Sequence, residues 1–230
     1  MLCIRIKGVK ESRQIMQSSN AKIGWSLWLQ WVLASMLGFA IGAAMGNAVA
    51  NSIPPMTCTQ SFSDSLIDRL TNFPCILELD LAFLVIILGL AGGFMQWLVL
   101  CRWIAGTGWW VPASTLGFPV ALVTGVGAMR LGGDSIATPI LLGVLFGILS
   151  GVMPWLVLRR QLARAGWWVP AHLLGSLVGG AMGIVAFHAM SLIGFYQFSW
   201  AAAGAMFGAG LGAMTGVALV WLLRQSMPAG

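Results

Sequence analysis

Two histidines stand out in the apolar part of this sequence as side chains that could ligate a cofactor. His172 and His188 belong to the same apolar run and are 16 positions apart. On an α-helix this spacing is about 24 Å along the axis, too far for both to hold one haem or metal ion. Each imidazole could be an axial ligand of its own tetrapyrrole pigment, or make an ordinary hydrogen bond at a helix interface. The sequence therefore leaves a pigment site open and predicts no metal site.

Enzyme chemistry is not indicated elsewhere in the sequence. No Asp, Glu, Lys or Arg lies in the central part of an apolar run, where such groups would mark an ion or proton path. There is no His-Glu-x-x-His motif, no pair of close carboxylates and no serine with a histidine at a suitable spacing. Gln96, at a position that Pro154 takes in a second copy of the surrounding sequence, is predicted to make an interhelical hydrogen bond. We expect a protein that is not an enzyme.

Two of the four cysteines share the long polar stretch 51–80. We predict that this stretch is a loop on the outer side of a membrane, where an oxidising compartment would permit a disulfide between Cys58 and Cys75. Such a bridge would add roughly 3 kcal/mol of stability. Two unpaired thiols are the alternative.

The composition indicates the membrane as the solvent of this chain. Only 8% of the residues are charged and 59% are hydrophobic, whereas a soluble domain carries about 25% charged residues. The mean hydropathy is +0.90. Several runs without a charged side chain reach the roughly 20 residues that a helix needs to cross the hydrocarbon core. The predicted fold class is all-α, a polytopic integral membrane protein.

The apolar runs predict six transmembrane helices. Their expected bounds are 25–48, 81–101, 111–129, 137–158, 169–190 and 198–223. A basic tail, 1–24, precedes the membrane domain, 25–224, and a short tail, 225–230, follows it. The first span is expected to act as an uncleaved signal anchor.

Basic residues set the expected orientation. Besides the N-terminal tail, one predicted side carries a cluster of arginines, namely Arg102, Arg159, Arg160, Arg164 and Arg224. By the positive-inside rule both termini are cytoplasmic. The cluster is expected to contact lipid headgroups, with an acidic partner as the alternative, and we expect no nucleic-acid binding despite the net charge of +6. All tryptophans except Trp200 fall toward this same side, which predicts an interfacial aromatic belt.

One phrase of the sequence occurs twice. Trp97–Arg102 and Gly108–Ala113 return as Trp155–Arg160 and Gly166–Ala171. Weaker similarity in the first and last runs extends the pattern to three parallel two-helix units, 25–103, 109–160 and 167–224. An even number of spans in each unit predicts hairpins arranged around a pseudo-threefold axis normal to the membrane.

Glycine makes up 30 of the 230 residues and recurs every fourth position along most runs. Positions four apart share one helix face, and small residues there let membrane helices pack closely. The predicted packing glycines are Gly38, Gly42, Gly46, Gly89, Gly93, Gly143, Gly147, Gly151, Gly175, Gly179, Gly183, Gly204, Gly208, Gly212 and Gly216.

The repeated WLVLRR…GWWVPA phrase resembles a group of bacterial Gly- and Trp-rich multi-span membrane proteins that has no assigned activity. The resemblance covers all three units and implies the repeat architecture alone. On function, the sequence favours a non-enzymatic accessory or scaffold protein that contacts membrane lipids and other membrane subunits. The alternatives are a permease or channel for a small neutral or apolar solute or lipid, and a pigment- or haem-binding protein.

Overall fold

The computed structural model describes residues 23–52, 79–104, 106–132, 137–162 and 164–226. Within these ranges the chain is helical and contains no strand. The six α-helices are α1 (Ile23–Ala50), α2 (Leu79–Leu100), α3 (Trp110–Gly132), α4 (Ala137–Leu158), α5 (Trp168–Leu192) and α6 (Ser199–Ser226). Each end lies within three residues of the one predicted from the apolar runs. The predicted Cys58–Cys75 bridge, and nearly all of the tails and of the loop 51–80, lie outside the described residues.

Four stretches of the described helices are long and apolar enough to cross a membrane: Gly24–Val49, Phe83–Leu100, Ala165–Leu192 and Tyr196–Gln225. A shorter apolar stretch, Gly143–Leu158, belongs to α4. The all-helical class and its compatibility with a membrane follow directly from these lengths, since a helix satisfies its own backbone hydrogen bonds in lipid.

Helices α3 and α5 begin in the same way. A 3-10 turn, Thr107–Trp109 or Ala165–Trp167, precedes each helix. Pro112 and Pro170 then occupy the first helical turn, where the missing N–H costs no hydrogen bond and the fixed φ suits a helix start. Gly106 opens the first of these turns with a φ of 79°, a left-handed conformation that glycine adopts without strain.

The six helices form a closed ring in chain order. Each helix packs antiparallel against the helices before and after it, and α6 returns to pack against α1. This last contact includes a hydrogen bond from Trp28 Nε1 to the carbonyl oxygen of Ala213, 3.0 Å long. Helix backbones come close where glycines meet: a Cβ added at Gly210 would lie 2.6 Å from Gly179 Cα.

Three tryptophans fill one level of the ring's interior. Trp31, Trp110 and Trp168, here called the tryptophan triad, are buried and contact one another edge to face. The ring centroids are 5.8 Å apart for Trp31 and Trp110, 6.1 Å for Trp31 and Trp168, and 5.3 Å for Trp110 and Trp168. Buried leucines surround the triad: Leu27, Leu100, Leu158, Leu162, Leu219 and Leu222.

Four phenylalanines fill a second level, farther from the start of α1. Phe39, Phe118, Phe146 and Phe207 form this phenylalanine cluster. Phe118 touches the other three, with ring centroids 5.5 Å from Phe39, 5.4 Å from Phe146 and 6.4 Å from Phe207. Aromatic contacts of this kind add to the energy of burial, so both levels contribute to the stability of the ring.

The prediction that the tryptophans form one interfacial belt is wrong for the triad. In each Trp-Trp pair the first ring is exposed, at 70% for Trp109 and 63% for Trp167. The second ring, Trp110 or Trp168, is at most 1% exposed. Consecutive residues at the junction of a 3-10 turn and an α-helix point about 100–120° apart, so only one ring of each pair faces outward while the other faces the interior.

The arginine cluster lies at one end of the ring, here called the basic end. Arg102, Arg159, Arg160, Arg164 and Arg224 are all exposed. They occupy the turns that follow α2 and α4 and the last turn of α6. The Arg159 guanidinium lies 5.1 Å above the Trp155 ring, and that of Arg224 lies beside Gly24 at the start of α1. The first and last described helices therefore meet at this end.

Candidate functional site

A layer of buried polar side chains lies between the tryptophan triad and the phenylalanine cluster. Every helix contributes one, namely Ser35 from α1, Gln96 from α2, Ser114 from α3, Ser150 from α4, His172 from α5 and Thr215 from α6, and Ser176 of α5 borders them one turn nearer the phenylalanine cluster. We call these seven residues the polar layer. Polar groups are costly to bury in an apolar interior, so one from each of six helices at a single level is the unusual feature of this bundle.

The repeated positions of the tryptophans set the level of this layer. Ser35, Ser114 and His172 each follow a triad tryptophan by four residues. One helical turn of this length rises about 6 Å along the axis and returns the side chain to nearly the same face. Because the three tryptophans touch one another, their successors one turn later occupy a common level.

Helices α1, α2 and α6 join in this layer through direct hydrogen bonds. Gln96 Nε2 donates to Ser35 Oγ over 3.1 Å. Trp31 Nε1 donates to Thr215 Oγ1 over 3.0 Å, and that hydroxyl donates in turn to the carbonyl oxygen of Leu211 at 2.6 Å. The interhelical bond that the sequence predicted for Gln96 is thus present, and its partner is Ser35.

His172 connects α5 to α4. Its Nδ1 lies 3.2 Å from the carbonyl oxygen of Gly147, and Ser176 Oγ lies 3.4 Å from the same nitrogen. A carbonyl oxygen only accepts, so a hydrogen bond here requires the proton on Nδ1. The imidazole packs beside Gly151, where an added Cβ would approach its Cβ to 2.9 Å, and its centroid lies 6.2 Å from that of Trp168.

Three buried polar atoms in and beside this layer have no hydrogen-bond partner in the described part of the chain. They are Trp110 Nε1, Trp168 Nε1 and Ser114 Oγ. An unsatisfied buried donor costs about 1–3 kcal/mol, and native proteins contain few of them. These atoms therefore need a physical explanation.

The explanation for the two indoles is a change of residue on the neighbouring helices. Trp31 donates to Thr215 of α6. Gly93 of α2 and Gly151 of α4 face Ser114 and His172 as Gly212 of α6 faces Ser35, so Gln96 and Pro154, three residues farther along, stand where Thr215 stands. Gln96 donates to Ser35 Oγ instead, at 3.1 Å, and Pro154 has no hydrogen-bonding side chain. One indole of the triad is therefore satisfied and two are open.

A cavity lies on the far side of the phenylalanine cluster from the polar layer. It has a volume of about 340 Å³, and helices α1, α2, α5 and α6 line it, with Phe207 among its wall residues. Its walls are almost entirely apolar and include His188. Because Phe207 belongs to both the cavity wall and the phenylalanine cluster, the cavity ends where the cluster begins. We call this cavity the vestibule.

The two histidines singled out by the sequence are not brought together. His172 is enclosed in the polar layer, whereas His188 is exposed and contacts the ring of Phe187 edge to face, 5.8 Å between centroids. Within the described ranges no three His, Cys, Asp or Glu side chains come close enough to hold a metal ion. A pigment on either histidine stays a prediction, and an absorption spectrum of the purified protein checks it.

The predicted packing glycines lie against neighbouring helices. A Cβ added at any of the fifteen would come within about 3.2 Å of an atom of the adjacent helix. Backbone atoms are among these neighbours at Gly38, Gly42, Gly46, Gly89, Gly147, Gly175, Gly179, Gly183, Gly204, Gly208 and Gly212, and only side-chain atoms are at Gly93, Gly143, Gly151 and Gly216. Sequence reasoning missed Gly92, Gly117 and Gly210, which make equally close approaches. It also missed the serines and threonine of the polar layer. The repeat register that aligns Ser35 and Ser114 with His172 was the signal that could have found them.

The Gln96–Ser35 bond gives the first testable prediction. Replacing Gln96 with leucine keeps the volume but removes the donor, and replacing Ser35 with alanine removes the acceptor. Interhelical hydrogen bonds in membrane proteins are worth roughly 0.5–2 kcal/mol, so we expect a coupling of that size in a double-mutant cycle of unfolding free energies. The same cycle with Thr124→Val in place of Ser35→Ala is the control, because Thr124 is exposed and bonds its own helix at Val120. Additive single-variant effects for Gln96 and Ser35 would contradict the bond.

Comparison with known proteins adds no relative to this description. No family model, no curated protein and no solved structure matches the chain. The case for its function therefore rests on the polar layer and its surroundings.

Proposed function

We propose that this chain is a six-span, non-enzymatic integral membrane protein that conducts a small uncharged solute along the axis of its helix ring. The observation that carries the proposal is the polar layer, which lies inside the ring between two levels of packed aromatic side chains. The proposal gives more weight to the permease or channel alternative than the sequence alone did, because the polar layer places hydrogen-bonding groups in the interior of the bundle.

Six spans and three repeats are the architecture that we propose. Four membrane-length apolar stretches support the spanning helices, and α3 and α4 complete the same antiparallel ring. Support for the repeats comes from Trp31, Trp110 and Trp168, which occupy matching places in the three units and meet edge to face. The likeness to Gly- and Trp-rich multi-span proteins is part of this proposal.

We assign the basic end to the cytoplasm because arginines concentrate there and positive charge is retained on that side during insertion. The test is to place single cysteines at Arg160 and Leu192, in a background without other cysteines, and to add a membrane-impermeant maleimide. In right-side-out vesicles the cysteine at position 192 should react and that at position 160 should not, and inverted vesicles should reverse the result. The same pattern in both preparations would contradict the assignment.

The proposed route has a defined order. A solute enters the vestibule, passes the phenylalanine cluster, is held in the polar layer and leaves past the tryptophan triad toward the basic end. The described side chains of the layer carry hydroxyl, amide and imidazole groups but no carboxylate, ammonium or guanidinium. An ion would lose its hydration there without a compensating charge, so the route favours uncharged molecules.

The decisive measurement is solute flux into proteoliposomes, followed by stopped-flow light scattering with urea, glycerol and water as osmotic probes. We expect protein-dependent flux of at least one of them and none of sodium chloride. Ser114→Ala removes the hydroxyl of the polar layer that has no partner in the described part of the chain, and it should lower the flux several-fold. Thr124→Val likewise removes a hydroxyl, but on an exposed surface, and should leave the flux unaltered. Flux equal to that of empty liposomes for all three probes would refute the proposal.

A second candidate is the accessory or scaffold role that the sequence favoured. A groove of about 600 Å³ on α5 and α6, lined by alanines, methionines and Val185, supports it, since small residues let another membrane helix approach closely. Purification in mild detergent tests this role. A second membrane protein recovered at a fixed stoichiometric ratio supports it, and a homogeneous single chain without flux activity leaves neither function standing.

A further inference from the structure

The open hydrogen-bond donors beside the polar layer are distributed unevenly around the ring. Trp110 and Trp168 are 0% and 1% exposed, and Ser114 is 5% exposed. Their polar atoms lack partners in the described part of the chain. The third member of the triad, Trp31, donates to Thr215. The unsatisfied groups thus belong to α3 and α5, while the α1 side is closed.

The two open indoles are close neighbours. Their ring centroids are 5.3 Å apart, and Ser114 lies one turn beyond Trp110 on the same helix. An indole N–H only donates a hydrogen bond, whereas a serine hydroxyl either donates or accepts. The groups of this region that lack a hydrogen-bond partner are therefore two N–H donors and one hydroxyl, and none of them is charged.

We propose that Trp110 Nε1, Trp168 Nε1 and Ser114 Oγ form a binding site for a small uncharged molecule that presents an oxygen acceptor, such as a carbonyl, amide or sulfoxide oxygen. A carbonyl oxygen has two lone pairs and can accept from two N–H groups. Binding would satisfy groups that are otherwise left unpaired, and sites of this kind discriminate strongly against molecules that lack the matching group. This site rests on the proposed function insofar as it names the class of solute that the polar layer holds.

Trp31, whose indole N–H already donates to Thr215, is an internal reference for testing the site. We would label the tryptophans with ¹⁵N in the detergent-solubilised full chain and follow the indole N–H signals by NMR during titration with urea or dimethyl sulfoxide. Trp110→Phe, Trp168→Phe and Trp31→Phe assign the three signals by their loss. We expect saturable downfield shifts for Trp110 and Trp168, and no saturable shift for Trp31 or the exposed Trp109.

Guanidinium is the matched probe, because it has the planar shape of urea but is charged and has only donors. It should produce no saturable shift at either open indole. In the Ser114→Ala variant we expect the apparent dissociation constant for urea to rise about three- to tenfold, because one of three contacts is removed. If one Trp variant does not fold, the variants that fold still assign their own signals, and the titration of the parent protein at those signals decides the test.

Three results would overturn the site. If the N–H signals of Trp110 and Trp168 stayed upfield and did not change with any probe, each N–H would point at a neighbouring aromatic ring. Signals that are downfield before titration and do not change would mean that bound water alone fills the region. Equal shifts at Trp31 and Trp109 would mean general solvent effects. Flux without shifts would leave the permease standing and remove this site, whereas shifts without flux would do the reverse.

Discussion

Replacing Gly208 with leucine will force α1 and α6 apart and will abolish most of the folded protein. A Cβ at this position would overlap the carbonyl oxygen of Ser35 and would stand 2.9 Å from Met36 Cα. These are backbone atoms, so the contact cannot be relieved by a change of rotamer. Overpacking of a tight interior costs about 1–3 kcal/mol and sometimes more, and we expect leucine here to exceed 3 kcal/mol. Thermal unfolding and the monodisperse yield in detergent measure the effect.

Gly180 is the matched control for this substitution. It belongs to α5, and a Cβ added there would meet no heavy atom within 4 Å. Gly180→Leu should therefore melt within a few degrees of the parent protein, and Gly208→Ala should fall between the two leucine variants. If Gly208→Leu melted like the parent, close contact at glycines would not be what holds the ring together.

Replacing Phe118 with alanine will open the route between the vestibule and the polar layer. Phe118 is the ring of the phenylalanine cluster that touches all the others, so its removal leaves a gap at the centre of the barrier. We expect the flux of small uncharged solutes to rise at least tenfold, which corresponds to about 1.4 kcal/mol of barrier height. The measurement is stopped-flow scattering with equal amounts of reconstituted protein.

Two further variants separate an effect on the barrier from an effect on protein stability. Phe118→Ala will also destabilise the fold by about 3–5 kcal/mol, so Phe118→Leu, a smaller change, should give a smaller rise in flux in a sturdier protein. Phe94→Ala removes an exposed phenylalanine of α2 and should leave the flux at the parent value. An unchanged or lower rate in both Phe118 variants would show that the cluster is not a barrier on the solute's path.

The helices could be predicted from the sequence because lipid imposes one strong requirement on a spanning segment. A backbone in hydrocarbon must bond to itself over about 20 residues, and each apolar run of that length became a helix. The starts of α3 and α5 could also be predicted, because Pro112 and Pro170 follow paired tryptophans. The contact between α1 and α6 that closes the ring could not be predicted. A glycine face such as that of Gly208 indicates that a helix packs closely, but it does not indicate which helix it packs against.

The polar layer was harder to predict for a different reason. A serine or threonine in a helix can bond the carbonyl oxygen one turn earlier, as Thr124 and Ser150 do, so a hydroxyl in an apolar run is ordinarily uninformative. His172 and Gln96 stood out by type, but nothing in their own neighbourhoods placed them at one level. Likewise the Trp-Trp pairs indicated the membrane–water interface, and only the packing of the helices shows that Trp110 and Trp168 face the interior of the ring.

The seam between α1 and α6 has a consequence for biogenesis. On a translating ribosome α1 is made five helices before α6, so the face of α1 at Ser35 and Met36 that receives Gly208 stays uncovered until the last helix is made. Until α6 arrives, the growing chain is an open arc rather than a ring. A chain terminated before α6 would leave one face of α1 and one face of α5 without the helix that covers them. We expect such a fragment to be degraded, or to complete the ring by binding a sixth helix that is supplied separately.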